Sequence, residues 1–144
     1  MSQSDIETMR RMATEVFNLG RIEVIDEIIA TNIHDHSIPP GYPPGREGLK
    51  RYATEFRQAF PDLHYEMEHE VSQGDLVVQH GYGSGTMQGD FMGMKATGKK
   101  ACWSEMHIIR MRDGKAQEHW SVADVLTMLQ QLGLAPSPGM EQAA

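Results

Sequence analysis

The sequence is poor in cysteine, in basic runs and in long apolar segments, and each shortage argues against a class of protein. Its single cysteine, Cys102, cannot form an internal disulfide, so we expect a reducing compartment and a cytoplasmic location. No run of Lys or Arg exceeds two residues and the formal net charge is −7, which argues against a nucleic-acid partner. The apolar runs are short and the first residues are polar, so we expect neither a membrane span nor a secretory signal.

The chain does contain enough apolar residues for one domain, because 144 residues suffice for a single core. We expect this domain at residues 1–134 and a flexible tail at 135–144. Apolar residues at helical spacing predict helices near 4–20, 22–30 and 46–60, with a Pro/Gly-rich loop at 34–45.

After Pro61 the apolar period changes to two, which is typical of strands. The alternation predicts strands near 65–71, 76–82, 101–112 and 115–122, and a final helix near 125–132. Three helices, four strands and one helix predict an α+β fold in which helices cover one face of a curved, mainly antiparallel sheet.

The turn at Arg112-Asp113-Gly114-Lys115 decides which polar residues converge. A two-residue turn pairs Arg112 with Lys115 and needs a positive φ at both central residues. A three-residue loop pairs Met111 with Lys115 and needs a positive φ only at Gly114. We favour the three-residue loop for this reason.

The favoured register groups four polar side chains on one face of the hairpin. It pairs His107 with His119 and Glu105 with Ser121 across the two strands. The opposite face carries apolar side chains, which predicts a partner subunit there; these are Met106, Ile108, Trp120 and Val122.

Two imidazoles beside a carboxylate are costly to bury without a use, so this face is the candidate site. Glu105 acts as a base if an apolar pocket raises its pKa, or else pairs with a cation at the sheet surface. His107 is the candidate acid or enolate stabiliser, and His119 the group that orients it. Asp124 caps the last helix, or reaches the pocket if the strand continues.

Three segments carry a family resemblance: "DHSIPPGYPPGREGLKRYATEFRQAFPDL", "GDFMGMKATGKK" and "RDGKAQEHWSVADVLTMLQQLG". Together they resemble the SnoaL-like polyketide ester cyclases of the nuclear-transport-factor-2-like superfamily. The resemblance implies a cone-shaped α+β barrel with a deep apolar pocket, and homodimers or higher oligomers built through the outer face of the sheet. It also implies intramolecular aldol ring closure, or a related isomerisation, of a hydrophobic carbonyl compound without metal or cofactor.

The resemblance also assigns positions within the pocket. Glu105, His107 and His119 fall on family pocket positions, and the acid/base aspartate of the cyclases falls on Ser121, so Glu105 is the expected replacement base. We expect further side chains to bind substrate, namely His36, Phe60, His80, Phe91, Met94, Trp103 and Ser121 itself.

Other functions remain open at this point. We expect no metal, because strand neighbours in "HDH" point to opposite sides and no helix carries a His pair four residues apart. Epoxide or ester hydrolysis is compatible with the same fold. A non-catalytic dimeric binding module for a small apolar ligand is the alternative to an enzyme.

Overall fold

The structure is a computed structural model that describes residues 2–137. The part of the predicted tail from 138 to 144 lies outside the described residues. In chain order, the elements are α1 (Ser2–Arg11), a π-helical segment (Met12–Phe17), a 3-10 turn (Ile22–Val24), α2 (Ile25–Ile28), β1 (Ile29–Asp35), α3 (Arg46–Ala59), β2 (His64–Gln73), β3 (Leu76–Thr86), β4 (Lys100–Arg112), β5 (Lys115–Ala123) and α4 (Val125–Gln131).

One curved sheet contains all five strands in the order β1-β5-β4-β3-β2. Strands β2 to β5 form an antiparallel meander, and β1 pairs in parallel with β5 at the edge. The predicted α+β fold with a mainly antiparallel sheet is therefore confirmed. Within residues 2–137, no helix has the length and hydropathy needed to cross a membrane.

Strand β1 is the element that the sequence analysis missed. A helix was predicted to 30 and a loop from 34, but the helix ends at Ile28 and residues 29–35 extend along β5. The burial of this strand follows no period of two, since Ile29 and Ala30 are both buried and Thr31 and Asn32 are both exposed. An edge strand of this kind gives no alternating signal.

The core lies between the helices and the inner face of the sheet. Ile6 and Met9 of α1 and Leu49 of α3 pack in one apolar cluster with Val77 and Ile109 of the sheet. A second cluster continues this layer toward α4; it includes Phe56, Phe60, Tyr65, Trp103 and Met128. The helices therefore cover the inner face of the sheet. No helix among the described residues covers the outer face.

The β4–β5 hairpin differs from its predicted geometry in two ways that offset each other. The turn has two residues, with φ of 52° at Asp113 and 73° at Gly114, so the predicted three-residue loop is wrong. Arg112 pairs with Lys115, but a bulge at Gln117 then shifts the register by one residue.

The bulge restores the predicted faces. His107 pairs with Ser121, and Ile109 pairs with His119, so each pairing differs by two residues from the prediction. Because side chains alternate with a period of two, a shift of two residues leaves them on the same face. The prediction that Glu105, His107, His119 and Ser121 share the inner face is confirmed.

Candidate active site

A cavity of about 490 Å³ lies between the helices and the inner face of the sheet. Most of its wall is apolar, with side chains such as Phe17, Leu49 and Phe56. Its carboxylates and imidazoles stand on the wall formed by β1, β4 and β5; they are Asp35, Glu105, His107 and His119. An apolar cavity with a few convergent polar groups is typical of a site that binds a small molecule.

These four ionisable residues form one hydrogen-bonded series, which we call the carboxylate–imidazole network. His107 Nε2 lies 2.8 Å from Glu105 Oε1, and His107 Nδ1 lies 2.9 Å from His119 Nε2. His119 Nδ1 lies 3.0 Å from Asp35 Oδ1. The indole Nε1 of Trp103 donates to the other oxygen of Glu105 at 2.6 Å. All four ring nitrogens of the two histidines therefore have a partner.

Strand alternation places each member of this network. Residues 103, 105 and 107 of β4 point inward at a spacing of two, and the bulge at Gln117 keeps His119 on the same face. Asp35 is directly opposite His119 in the parallel β1–β5 pairing. Its neighbours His34 and His36 are exposed, so only the aspartate of "HDH" reaches the cavity.

Glu105 is a buried carboxylate that stays ionised. Burial raises its pKa, but the hydrogen bond and charge of His107 lower it, as do hydrogen bonds from Trp103 and the Tyr65 hydroxyl. The net result is a pKa below the ordinary value. The expectation that the pocket raises the pKa of Glu105 into a working range is therefore wrong, because three donors compensate for its desolvation.

Asp35 follows the same pattern at the other end of the network. Its side chain is only 7% exposed, and burial raises its pKa. The hydrogen bond and charge of His119, together with backbone N–H groups of Ser37 and Ile38, lower the pKa by more than burial raises it, so that it falls below the ordinary value. Both ends of the network therefore carry negative charge.

A count of protons defines what the network can do. Ionised carboxylates only accept, so His107 donates from Nε2 and His119 donates from Nδ1. The link between the two rings then needs a third proton, which makes one ring an imidazolium. With only two protons, the lone pairs of His107 Nδ1 and His119 Nε2 face each other across 2.9 Å. The network thus has a two-proton state that accepts a proton and a three-proton state that donates one.

Four further predicted residues line the cavity: Phe91, Met94, Trp103 and Ser121. Trp103 is buried, and its indole N–H already donates to Glu105, so it is not available to a ligand. The backbone N–H of Ser121 donates to the Ser37 hydroxyl at 2.6 Å. Ser37 and Ser121 thus hold β5 and the segment after β1 together at the cavity wall.

Two predicted substrate-binding residues, Phe60 and His80, do not line the cavity. Phe60 is fully buried in the second apolar cluster, where its ring packs edge-on against Phe56 and Trp103. His80 stands on the outer face of β3, because the inward positions of that strand are 77 and 79. Strand alternation thus corrects the prediction for His80.

His36 and Asp124 also lie away from the cavity. The ring of His36 stacks on Trp120 on the outer face, and its Nε2 lies 2.6 Å from Glu118. Asp124 is the N-cap of α4, where it accepts from the backbone N–H and hydroxyl of Thr127. β5 ends at residue 123, so the strand does not carry Asp124 into the cavity.

The sequence analysis missed Asp35, Tyr52 and Tyr65 as polar groups of the site. Tyr65 hydrogen-bonds Glu105 through its hydroxyl, and burial raises the pKa of Tyr65 well above its ordinary value. Burial likewise raises the pKa of Tyr52, which lines the cavity from α3. Both tyrosines stand at inward-facing positions of their helix and strand, but the apolar period of a sequence does not show which group a tyrosine hydroxyl will contact.

Comparisons with known proteins agree with this architecture. A family profile described as SnoaL-like polyketide cyclase matches residues 7–132. Aklanonic acid methyl ester cyclase DnrD of Streptomyces peucetius is 30% identical over 137 residues, covering 90% of this chain and 91% of that protein.

Solved structures give the same result. A candidate polyketide cyclase from Bacillus cereus superposes with a TM-score of 0.80 at 32% identity, covering 92% of this chain and 83% of its own. IdmH of Streptomyces antibioticus, also a candidate polyketide cyclase, superposes with a TM-score of 0.77 at 34% identity, covering 90% and 98%.

The fold and the site define an α+β barrel protein with an apolar internal cavity and one polar wall. Within that class, the profile match over most of the chain and the curated relatives at 30% identity define the family. This chain belongs to the SnoaL-like polyketide cyclase family.

Proposed function

We propose that this protein is an enzyme that closes a ring in a neutral, hydrophobic polyketide ester by intramolecular aldol chemistry. The observation that carries the proposal is the carboxylate–imidazole network on the polar wall of an apolar cavity. The curated relatives are methyl ester cyclases, which supports the same reaction class here.

In the proposed reaction, His107 Nδ1 or His119 Nε2, which have no proton between them in the two-proton state, removes a proton from a carbon next to a carbonyl when its ring turns from its partner toward the substrate. The resulting enolate carbon attacks a second carbonyl carbon of the same molecule and forms the new C–C bond. The pair, now in its three-proton state, returns the proton to the oxygen of the attacked carbonyl. One proton moves from carbon to oxygen, so neither an oxidant nor a leaving group is required.

Glu105 and Asp35 act in this scheme as positioning residues rather than as the base. Each accepts a hydrogen bond from one imidazole and so fixes which ring nitrogen carries a proton. Their negative charges also stabilise the imidazolium of the three-proton state. This replaces the sequence-based hypothesis that Glu105 removes the proton, because its hydrogen-bond donors hold the pKa of Glu105 below the ordinary value and so make it a weak base.

The charges of the cavity lining also favour a neutral substrate over an anionic one. Its described lining includes two carboxylates and neither Lys nor Arg. An anionic substrate would meet negative charge without a compensating cation in an apolar surrounding, which is unfavourable. An esterified acid avoids this repulsion, and the hydroxyls of Ser121 and Tyr52 can donate to its carbonyl oxygens.

The test is turnover of neutral polyketide methyl esters, with aklanonic acid methyl ester as the first substrate because the relatives are named for it. Ring closure is followed by liquid chromatography, and proton exchange next to the carbonyl by NMR in D₂O. His107→Ala should reduce kcat by about 10²- to 10⁴-fold, the range for loss of a general acid–base group. His64→Ala, an exposed histidine at the start of β2, is the matched control.

Equal turnover by His107→Ala and the wild type would contradict this assignment. A wild-type protein that binds the ester saturably, yet neither closes the ring nor exchanges the proton, would instead support the binding-module alternative. Hydrolysis of the ester without ring closure would support the hydrolase alternative.

A further inference from the structure

A second group of histidines stands on the outer face of the sheet, on the opposite side from the cavity. Glu68 and His69 of β2 and His80 of β3 each offer one ligand atom, and these atoms lie within 4.8 Å of one another. His69 Nδ1 and His80 Nδ1 are 3.0 Å apart. We call these three residues the outer histidine cluster.

A β-bulge explains how two consecutive residues reach the same ligand position. Met67 pairs with Gly81 and His69 pairs with His80, so Glu68 is the additional residue in β2. A regular strand would point Glu68 and His69 to opposite faces, whereas a bulge re-aims a side chain. The sequence-based expectation of no metal was argued from "HDH" and from helical His pairs, and it did not consider Glu68 and His69.

The donor set suits a transition-metal cation. Imidazole nitrogens and a carboxylate oxygen are ordinary ligands of Zn²⁺, at about 2.0–2.2 Å from the metal. Tetrahedral bonds of that length separate two ligand atoms by roughly 3.3 Å, which is a few tenths of an ångström more than the distance between the two Nδ1 atoms. The cation would replace the hydrogen bond between these two nitrogens.

A comparable group on the same face is less suited to a cation. His34, His36 and Glu118 also lie within 4.8 Å of one another. There the carboxylate is already neutralised, because Arg110 Nε lies 3.5 Å from Glu118 and His36 lies at 2.6 Å. Among the described residues, Glu68 forms no ion pair with Lys or Arg, so its charge is available to a metal.

We propose that the outer histidine cluster binds one Zn²⁺ or a similar divalent transition-metal cation through Glu68, His69 and His80. The three protein ligands leave a fourth coordination position for water or another ligand. The site is independent of the proposed ring-closure activity, since the sheet separates it from the cavity. A bound cation joins β2 to β3, so it should also stabilise the fold by mass action.

Calorimetric titration of the full chain with ZnCl₂ tests this proposal. The wild type should bind one equivalent, and its Tm should rise with zinc. His80→Ala and Glu68→Gln should each weaken zinc binding at least ~10-fold, since the loss of even an outer-shell partner typically costs this much. The double variant His34→Ala/His36→Ala is the matched control and should bind zinc as the wild type does.

A second measurement does not depend on the variants folding. Zinc added to the wild type should shift the imidazole ¹⁵N resonances of His69 and His80 and leave those of His107 and His119 unchanged. The proposal is overturned if the wild type takes up no zinc, if His80→Ala binds as tightly as the wild type, or if only the His34/His36 control loses binding.

Discussion

At the scale of single residues, Asp35 changes how the site is understood. Its hydrogen bond to His119 joins β1 to β5 through two residues that are 84 positions apart in the sequence. Without this carboxylate, His119 could carry its proton on either ring nitrogen, and the imidazole pair would lose one of its two fixed donors. The network therefore depends on a residue that no pattern in the hairpin itself reveals.

We predict that Asp35→Asn lowers kcat at least ~10-fold while changing KM little, because the charge that stabilises the three-proton state is lost but the cavity keeps its shape. The pH profile of kcat should also change, since the imidazolium loses one of its two neighbouring anions. Asp113→Asn is the matched control, because Asn accepts the positive φ of the turn. An unchanged kcat and pH profile in Asp35→Asn would exclude a positioning role.

The two buried carboxylates predict how stability depends on pH. The folded state lowers the pKa of both Glu105 and Asp35, so each contributes stability above its unfolded pKa. This contribution is lost as pH falls below about 4 and through the folded pKa. The difference in the free energy of unfolding between wild type and Glu105→Gln, measured with urea, should therefore shrink between pH 6 and pH 3. A difference that stays constant over this range would contradict the prediction.

The residues of the site were predictable in part. Alternation along β4 and β5 identified Glu105, His107, His119 and Ser121 as one inward-facing set, and the structure confirms this. The protonation of Glu105 was not predictable, because it depends on donors from Trp103 and Tyr65 as well as His107. Roles that depend on several strands at once cannot be read from one hairpin.

At the scale of elements, the β4–β5 hairpin shows how the side chains on its inner face were predicted correctly from an incorrect pairing of its strands. Both turns were compatible with "Asp-Gly", since Asp tolerates the left-handed region that the two-residue turn requires. Gln117 carries no sequence signal that marks a bulge. The predicted face was right because the two-residue turn and the bulge together shift the pairing by an even number of residues.

Gly83 in β3 is a glycine whose missing side chain leaves room for two aromatic rings of the site. A Cβ at this position would lie 2.7 Å from both the Trp103 and the Tyr65 rings. Sequence analysis alone does not show that this strand needs glycine for close packing, because the two rings come from β4 and β2. The glycine thus allows the two donors of Glu105 to pack against β3.

We predict that Gly83→Ala lowers the free energy of unfolding by about 1–3 kcal/mol, the usual cost of overpacking a well-filled core. Turnover should fall as well, because a shift of either ring moves a donor away from Glu105. Urea denaturation measures the first effect, with Ser84→Ala as the neighbouring control expected within about 0.5 kcal/mol of the wild type. A Gly83→Ala protein as stable as the control would show that the rings can move freely.

At the scale of the whole molecule, the α+β architecture could be predicted because helices and strands are segregated along the chain. The edge strand β1 could not, since its pairing with β5 is parallel and interrupted by a bulge. The outer face of the sheet is the part of the molecule whose role is still a prediction. Large apolar side chains are exposed on it, including Tyr82, Met106 and Ile108.

We propose that the apolar part of this outer face, at Tyr82, Met106 and Ile108, joins two copies of the chain, because neighbouring large apolar side chains are unfavourable in water. Light scattering after size exclusion should give the wild type twice the 16.2 kDa mass of one chain. Met106→Glu/Ile108→Glu should give a monomer that keeps its fold, since these side chains are 50% and 40% exposed and so contribute little to the core. Leu19→Glu changes an apolar residue that is 60% exposed elsewhere and should leave the dimer intact. A monomeric wild type would contradict the proposal, and a dimer that survives both outer-face substitutions would place the contact on another surface.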